Sequence, residues 1–217
     1  MNMATKDNIL GRSKAIADWL ASESPPRSMP SSPLALSVSG CFSIVQDHHG
    51  AIVHLIDTGH HSPAFALARS VYEGYIRGAW LADCATDAQR EAFLKGEIFQ
   101  NQQGKKMEVA DLIKDLELKE PYDENILSAI RDSAWLTLCD YAHVGGRLVA
   151  NWNSGDGTSP AFTEDSIFHV LGLTGVFAAM AAIGLCQLPV PADEAFANRI
   201  LEQVKNFNWN PAPDAAP

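Results

Sequence analysis

The stretch SPAFALARSVYEGYIRGAWLAD (residues 62–83) decides the fold. Phe65, Tyr72, Ile76 and Trp80 recur at steps of seven, four and four, and Arg69, Glu73 and Arg77 at steps of four. Both sets keep the period of an α-helix and neither keeps the alternation of a strand. The preceding stretch, PLALSVSGCFSIVQDHHGAIVHLIDTGH (residues 33–60), reads the same way. There Val38, Phe42, Val45, His49, Ile52 and Ile56 form one apolar stripe with a single imidazole inside it.

Working outward, helix punctuation recurs along the chain. Ser32–Pro33 and Ser62–Pro63 each read as an N-cap followed by a proline in the first turn. Thr86 with Gln89 spells a capping box, and Thr163 followed by Glu164 and Asp165 caps a further helix. Residues 5–22 read as an amphipathic helix with Ile9, Ile16, Trp19 and Leu20 on one side, and residues 22–32 as a Pro/Ser linker. In residues 124–150, Leu127, Ile130, Ala134, Leu138, Tyr141, Val144 and Leu148 make a packing stripe. Residues 151–160 read as a loop and 208–217 as a flexible tail. The expected fold is therefore all-α: a single domain, residues 1–217, forming an antiparallel bundle of six to eight helices. Residues 33–60, 63–84, 124–150 and 164–188 are its expected core.

Charge is distributed in keeping with that core. Of 217 residues, 47% are apolar and 19% charged, for a net charge of -10. Yet no Lys or Arg lies between Arg27 and Arg69, or between Arg147 and Arg199. The acidic balance speaks against a surface for nucleic acid or anionic membranes. Ser166–Val190 contains no charged residue, which would permit a membrane span. Its acidic flanks and its small-residue face (Gly175, Ala179, Ile183) favour a core helix or a dimer seam, with no membrane. Cys41, Cys84, Cys139 and Cys186 form no CxxC pair and read as reduced thiols of a cytoplasmic protein. Several helices with more than one apolar face imply a homodimer.

Chemistry concentrates in two places. Arg69, Glu73 and Arg77 put one carboxylate between two guanidiniums on adjacent turns, so a second anion is wanted if the ladder is buried. Asp140 and His143, a D-x-x-H pair running into Gly145–Gly146, lie on a second helix that could supply it. The expected site faces Arg69, Glu73 and Arg77 with Asp140 and His143, and His49 closes it. His143 and His49 are the candidate acid/base groups, and Arg69, Glu73, Arg77 and Asp140 the candidate ligand-binding groups. His49 reads equally as a satisfied core histidine. His54, Asp57 and His61, at i, i+3 and i+7, could share a metal on one helical face or simply be solvated. No motif calls for a metal or cofactor.

The stretch HHGAIVHLIDTGHHSPAFALARSVYEGYIRGAWL (residues 48–81) with DYAHVGG (residues 140–146) resembles an uncharacterised family of bacterial all-helical proteins. That pattern has two histidines opening a long helix, then S-A-x-A-L-x-R-x-x-x-E-x-x-x-R-G-x-W-L, then H-G-G. The resemblance points to His48, His49, Arg69, Glu73, Arg77, Gly78, Trp80, His143 and Gly145, with Val144 interrupting the last motif. It carries no activity. A looser likeness to HEPN helical ribonucleases and toxins rests on fold and residue types, because their signature of Arg, four to six residues, then His does not occur here. Three functions follow as expectations: a module binding a small anionic ligand or nucleotide, a metal-independent HEPN-like ribonuclease, or a structural, antitoxin-like interaction protein.

Overall fold

The computed structural model describes residues 3–23, 29–101, 103–122, 124–153 and 161–206. The chain is all-α. Among the described residues it forms nine helices: α1 (Met3–Glu23), α2 (Pro33–Asp57), α3 (His61–Asp83), α4 (Asp87–Leu94), α5 (Val109–Leu116), α6 (Ile126–Ala142), α7 (Gly146–Ala150), α8 (Glu164–Cys186) and α9 (Glu194–Asn206). The only β pairing among those residues is one isolated bridge, Gln100 to Lys106. Residues 154–160 of the loop, residues 24–28 of the Pro/Ser linker and all of the 208–217 tail lie outside the described residues.

The core is built on α2, α3 and α8. All six residues of the α2 stripe, from Val38 to Ile56, are buried. Phe42 inserts between α3 and α8, which both carry glycine where its ring passes. A Cβ on Gly78 would lie 2.5 Å from Phe42 Cε1, and one on Gly184 would collide with Cε2. Farther along, the Gln46 amide donates to Ala178 O, and His49 meets Thr174. Pairings of 42 with 78 and 45 with 74 make α3 antiparallel to α2, and pairings of 42 with 184 and 49 with 174 do the same for α8. α6 then runs antiparallel to α3 on its other flank. Tyr72 Oη donates to Leu127 O at 3.2 Å near the start of α6, and Phe65 packs edge-on against Tyr141 near its end.

α8 is long and apolar enough to cross a membrane by length and composition, and more than half of that window is buried in the bundle. Its other flank joins α1 and α9 in a second apolar cluster of Ile16, Leu20, Ala179, Ala182, Phe196 and Ile200. The caps at Ser32, Thr86 and Thr163 form as expected, each side chain accepting from the backbone N–H three residues on.

Three local readings are corrected. α2 stops at Asp57, Gly59 turns the chain at φ +80°, and α3 starts at His61, so Ser62 is inside the helix rather than its cap. Ser62 Oγ instead accepts from Trp152 Nε1. His54 and Asp57 therefore sit on one helix and His61 on the next, and Asp57 pairs with Lys14 of α1 at 3.0 Å. The segment 124–150 is two helices, which lifts the count above eight. Val144 adopts φ 55° at the break and is exposed, outside the stripe assigned to it.

Two stability outcomes follow from this packing. Phe42→Ala empties the seat shared by three helices and is expected to cost about 3–5 kcal/mol in urea denaturation; a loss under about 1 kcal/mol would contradict the packing. Val144 is β-branched in the left-handed region, a conformation costing roughly 1–2 kcal/mol for an L-residue. Val144→Asn, which tolerates that region, is expected to stabilise the chain by about 1 kcal/mol in the same assay.

Candidate functional site

Steps of four residues exceed one helical turn only slightly, so Arg69, Glu73 and Arg77 share one face of α3. Glu73 is the hub. Arg69 Nε donates to its Oε1 at 2.6 Å and Arg77 Nη2 to its Oε2 at 2.8 Å. The ladder is half-buried: side-chain exposure is 14% for Glu73, 22% for Arg69 and 43% for Arg77. The outermost arginine thus keeps donors open to solvent, while the carboxylate that accepts from it is largely covered.

Arg69 carries the array across to α6. Its Nη1 donates to His143 Nε2, and its guanidinium lies over the Trp135 ring, 4.8 Å from the centroid. A His143 that accepts at Nε2 carries its proton on Nδ1. The expected meeting of the ladder with His143 is therefore present.

Asp140 points elsewhere. Its Oδ2 accepts from the Arg147 backbone N–H at 2.7 Å, and a Cβ on Gly145 would overlap its Oδ1. The first N–H groups of a helix lack internal acceptors, and a carboxylate both satisfies one and favours the positive terminus. Asp140 thus answers α7 rather than the arginines, and Gly145 is glycine to admit it. Among the described residues, no second carboxylate pairs with Arg69 or Arg77.

His49 lies between α2 and α8. Its Nδ1 is 3.1 Å from Thr174 Oγ1, and that hydroxyl donates to Val170 O at 2.8 Å, so the imidazole is the donor of the pair. Nε2 is buried with no partner in the protein. Burial pushes this imidazole down from 6.5 to about 4. It borders a different cavity, shared with Leu20, Gln46 and His54, and does not line the arginine cleft.

That cleft measures about 410 Å³ between α3, α5 and α6. Arg69, Glu73 and Arg77 form one wall, Arg131 and Trp135 another, and Glu108, Val109 and Ala110 the third. Glu108 is engaged in a capping box and with Lys106 at 2.9 Å, and Arg131 with Asp132 at 2.7 Å. Arg131, Trp135 and Glu108 escaped the sequence reading. The signal for Arg131 and Trp135 is R-x-x-x-W on α6, one position off the packing stripe; Glu108, just before α5, has none. Among the described residues, no three His, Cys, Asp or Glu side chains gather as metal ligands.

The model of a family of unknown function, DUF6988, matches residues 42–210. The chain belongs to DUF6988. The matched region of this DUF6988 chain runs from Phe42 through the ladder and His143 to beyond α9, leaving α1 outside. Comparisons with curated proteins and with solved structures give no match.

Buried His49 gives this DUF6988 chain a defined acid response. The unfolded chain takes up the proton near pH 6.5 and the folded chain only near pH 4, so this part of the stability is complete above pH 6.5. It falls between those values by about 3 kcal/mol. Urea denaturation from pH 7 to pH 4 is expected to show this fall, and His49→Gln to remove that part of the slope. An unchanged slope in the variant would contradict the assignment.

Proposed function

We propose that the cleft between α3, α5 and α6 binds a small anionic ligand, a phosphate- or carboxylate-bearing molecule or a nucleotide. One observation carries this reading: Arg69 and Arg77 share the single carboxylate of Glu73 beside a cleft to which Arg131 adds a third guanidinium. Guanidinium groups fixed by packing bind planar oxyanions bidentately and lose little freedom in doing so. Trp135 fixes Arg69 from one side and Glu73 from the other, which supports a pre-arranged site rather than a mobile charged surface.

The geometry favours binding over hydrolysis. The Nε2 of His143 is taken by Arg69, and His49 borders another cavity, so neither imidazole offers a free base to a molecule in the cleft. The HEPN-like reading has no further support beyond helical architecture.

The test uses inorganic phosphate, citrate and AMP as probes, by calorimetry and thermal denaturation. A bound probe at a hundredfold excess over its Kd should stabilise the fold by about 2.7 kcal/mol. Arg77→Ala and Arg131→Ala should each weaken binding roughly tenfold or more while the fold persists. Failure of all three probes to bind, or binding indifferent to both substitutions, would overturn the reading.

A further inference from the structure

Another cavity lies where α2 begins and α3 and α8 end, and its chemistry is opposite to that of the arginine cleft. It measures about 490 Å³, within the ~300–1,000 Å³ of small-molecule sites. Leu34, Val38, Ala79, Met180, Ile183 and Leu201 supply an apolar lining from four helices. The space follows from the seat of Phe42. That ring takes the space a side chain on Gly184 would need and stacks on Tyr75 with centroids 5.8 Å apart, and both Phe42 and Gly184 border the cavity.

The polar side chains of the lining are Tyr75, Tyr122, Asp83 and, exposed at the end of α8, Gln187. Tyr75, only 3% exposed, places its hydroxyl 3.1 Å from that of Tyr122. Two hydroxyls joined by one hydrogen bond use one of their two protons, which leaves the other for a ligand acceptor. Burial holds both phenols above their ordinary range, so they remain donors. Asp83 sits at the exposed rim and lines the same cavity. Its carboxylate disfavours anions, and no lysine or arginine lines the cavity; Lys119, whose ammonium donates to the Asp83 backbone carbonyl, lies outside that lining.

We propose that this cavity binds an uncharged, largely apolar small molecule bearing a carbonyl oxygen, which accepts the spare hydroxyl proton of the Tyr75–Tyr122 pair. The apolar walls supply the burial, the hydroxyl pair fixes orientation, and Asp83 rejects carboxylates. The ligand class is thus distinct from that of the arginine cleft.

Benzophenone tests this directly, because it is a neutral aryl ketone that on irradiation inserts into neighbouring C–H bonds. Photolabelling of the full chain, mapped by mass spectrometry, should saturate with concentration and fall on Met180 and its neighbours in the lining. The anionic analogue 4-benzoylbenzoate should label there roughly tenfold less or worse. Leu201→Trp and Ala82→Phe, two independent ways to fill the cavity, should each reduce labelling roughly tenfold. The double variant Tyr75→Phe, Tyr122→Phe should raise the benzophenone concentration for half-saturation by roughly tenfold, with the fold checked by circular dichroism. Labelling that fails to saturate, falls outside the lining, ignores both filling variants or treats the carboxylate as an equal would overturn the proposal.

Discussion

The seating of Phe42 between Gly78 and Gly184 is the constraint on which the rest of the structure depends. One aromatic ring fixes the spacing of α2 from both α3 and α8, and glycine on each partner lets the backbones close on it. Dense interiors transmit such constraints, because neighbours cannot drift to absorb a displaced ring. With α3 held in that orientation, its Phe65, Tyr72 and Ile76 turn inward, and its charged face turns to α5 and α6. The arginine cleft and the apolar cavity are therefore two products of one packing decision. One lies on the face α3 is obliged to expose, and the other beside the notch that admits the ring.

The electrostatic arrangement economises on carboxylates. Glu73 serves two arginines at once, and Asp140 is committed to the start of α7. Isolated exposed ion pairs contribute little, but a carboxylate that is mostly covered and holds two guanidiniums in fixed geometry does more than neutralise them. It sets the direction in which their remaining donors point. Trp135 does the same for Arg69 by presenting a flat face.

Much of this was legible in the residues, and the reasons for the remainder are physical. The α2 stripe is readable because burial follows the helical period, and every member of it is buried. The ladder and its approach to His143 are readable because spacing four places charges on one face and His143 lies on the neighbouring apolar segment. Charge balance alone points Asp140 to the arginines, and the claim of a backbone N–H seven residues on does not show in that count. Ser62 carries a cap signature as good as that of Ser32, but Gly59 turns the chain first. Arg131 and Trp135 lie on the edge of α6, one position off its inner stripe, where the packing period gives no signal for them.

α8 sets a problem of its own. From Ser166 to Cys186 it has no charge, and a helix that is apolar nearly all round is almost indifferent to sliding or rolling against its neighbours. Registration must then come from shape and from sparse polar pegs, and α2 supplies both: a ring that fits one glycine, a histidine that meets one threonine, and an amide that reaches one carbonyl. A shift of α8 by one turn would strand the imidazole and drive Phe42 into a side chain. The three contacts therefore work as the wards of a lock, excluding near-miss assemblies that would bury almost as much apolar surface.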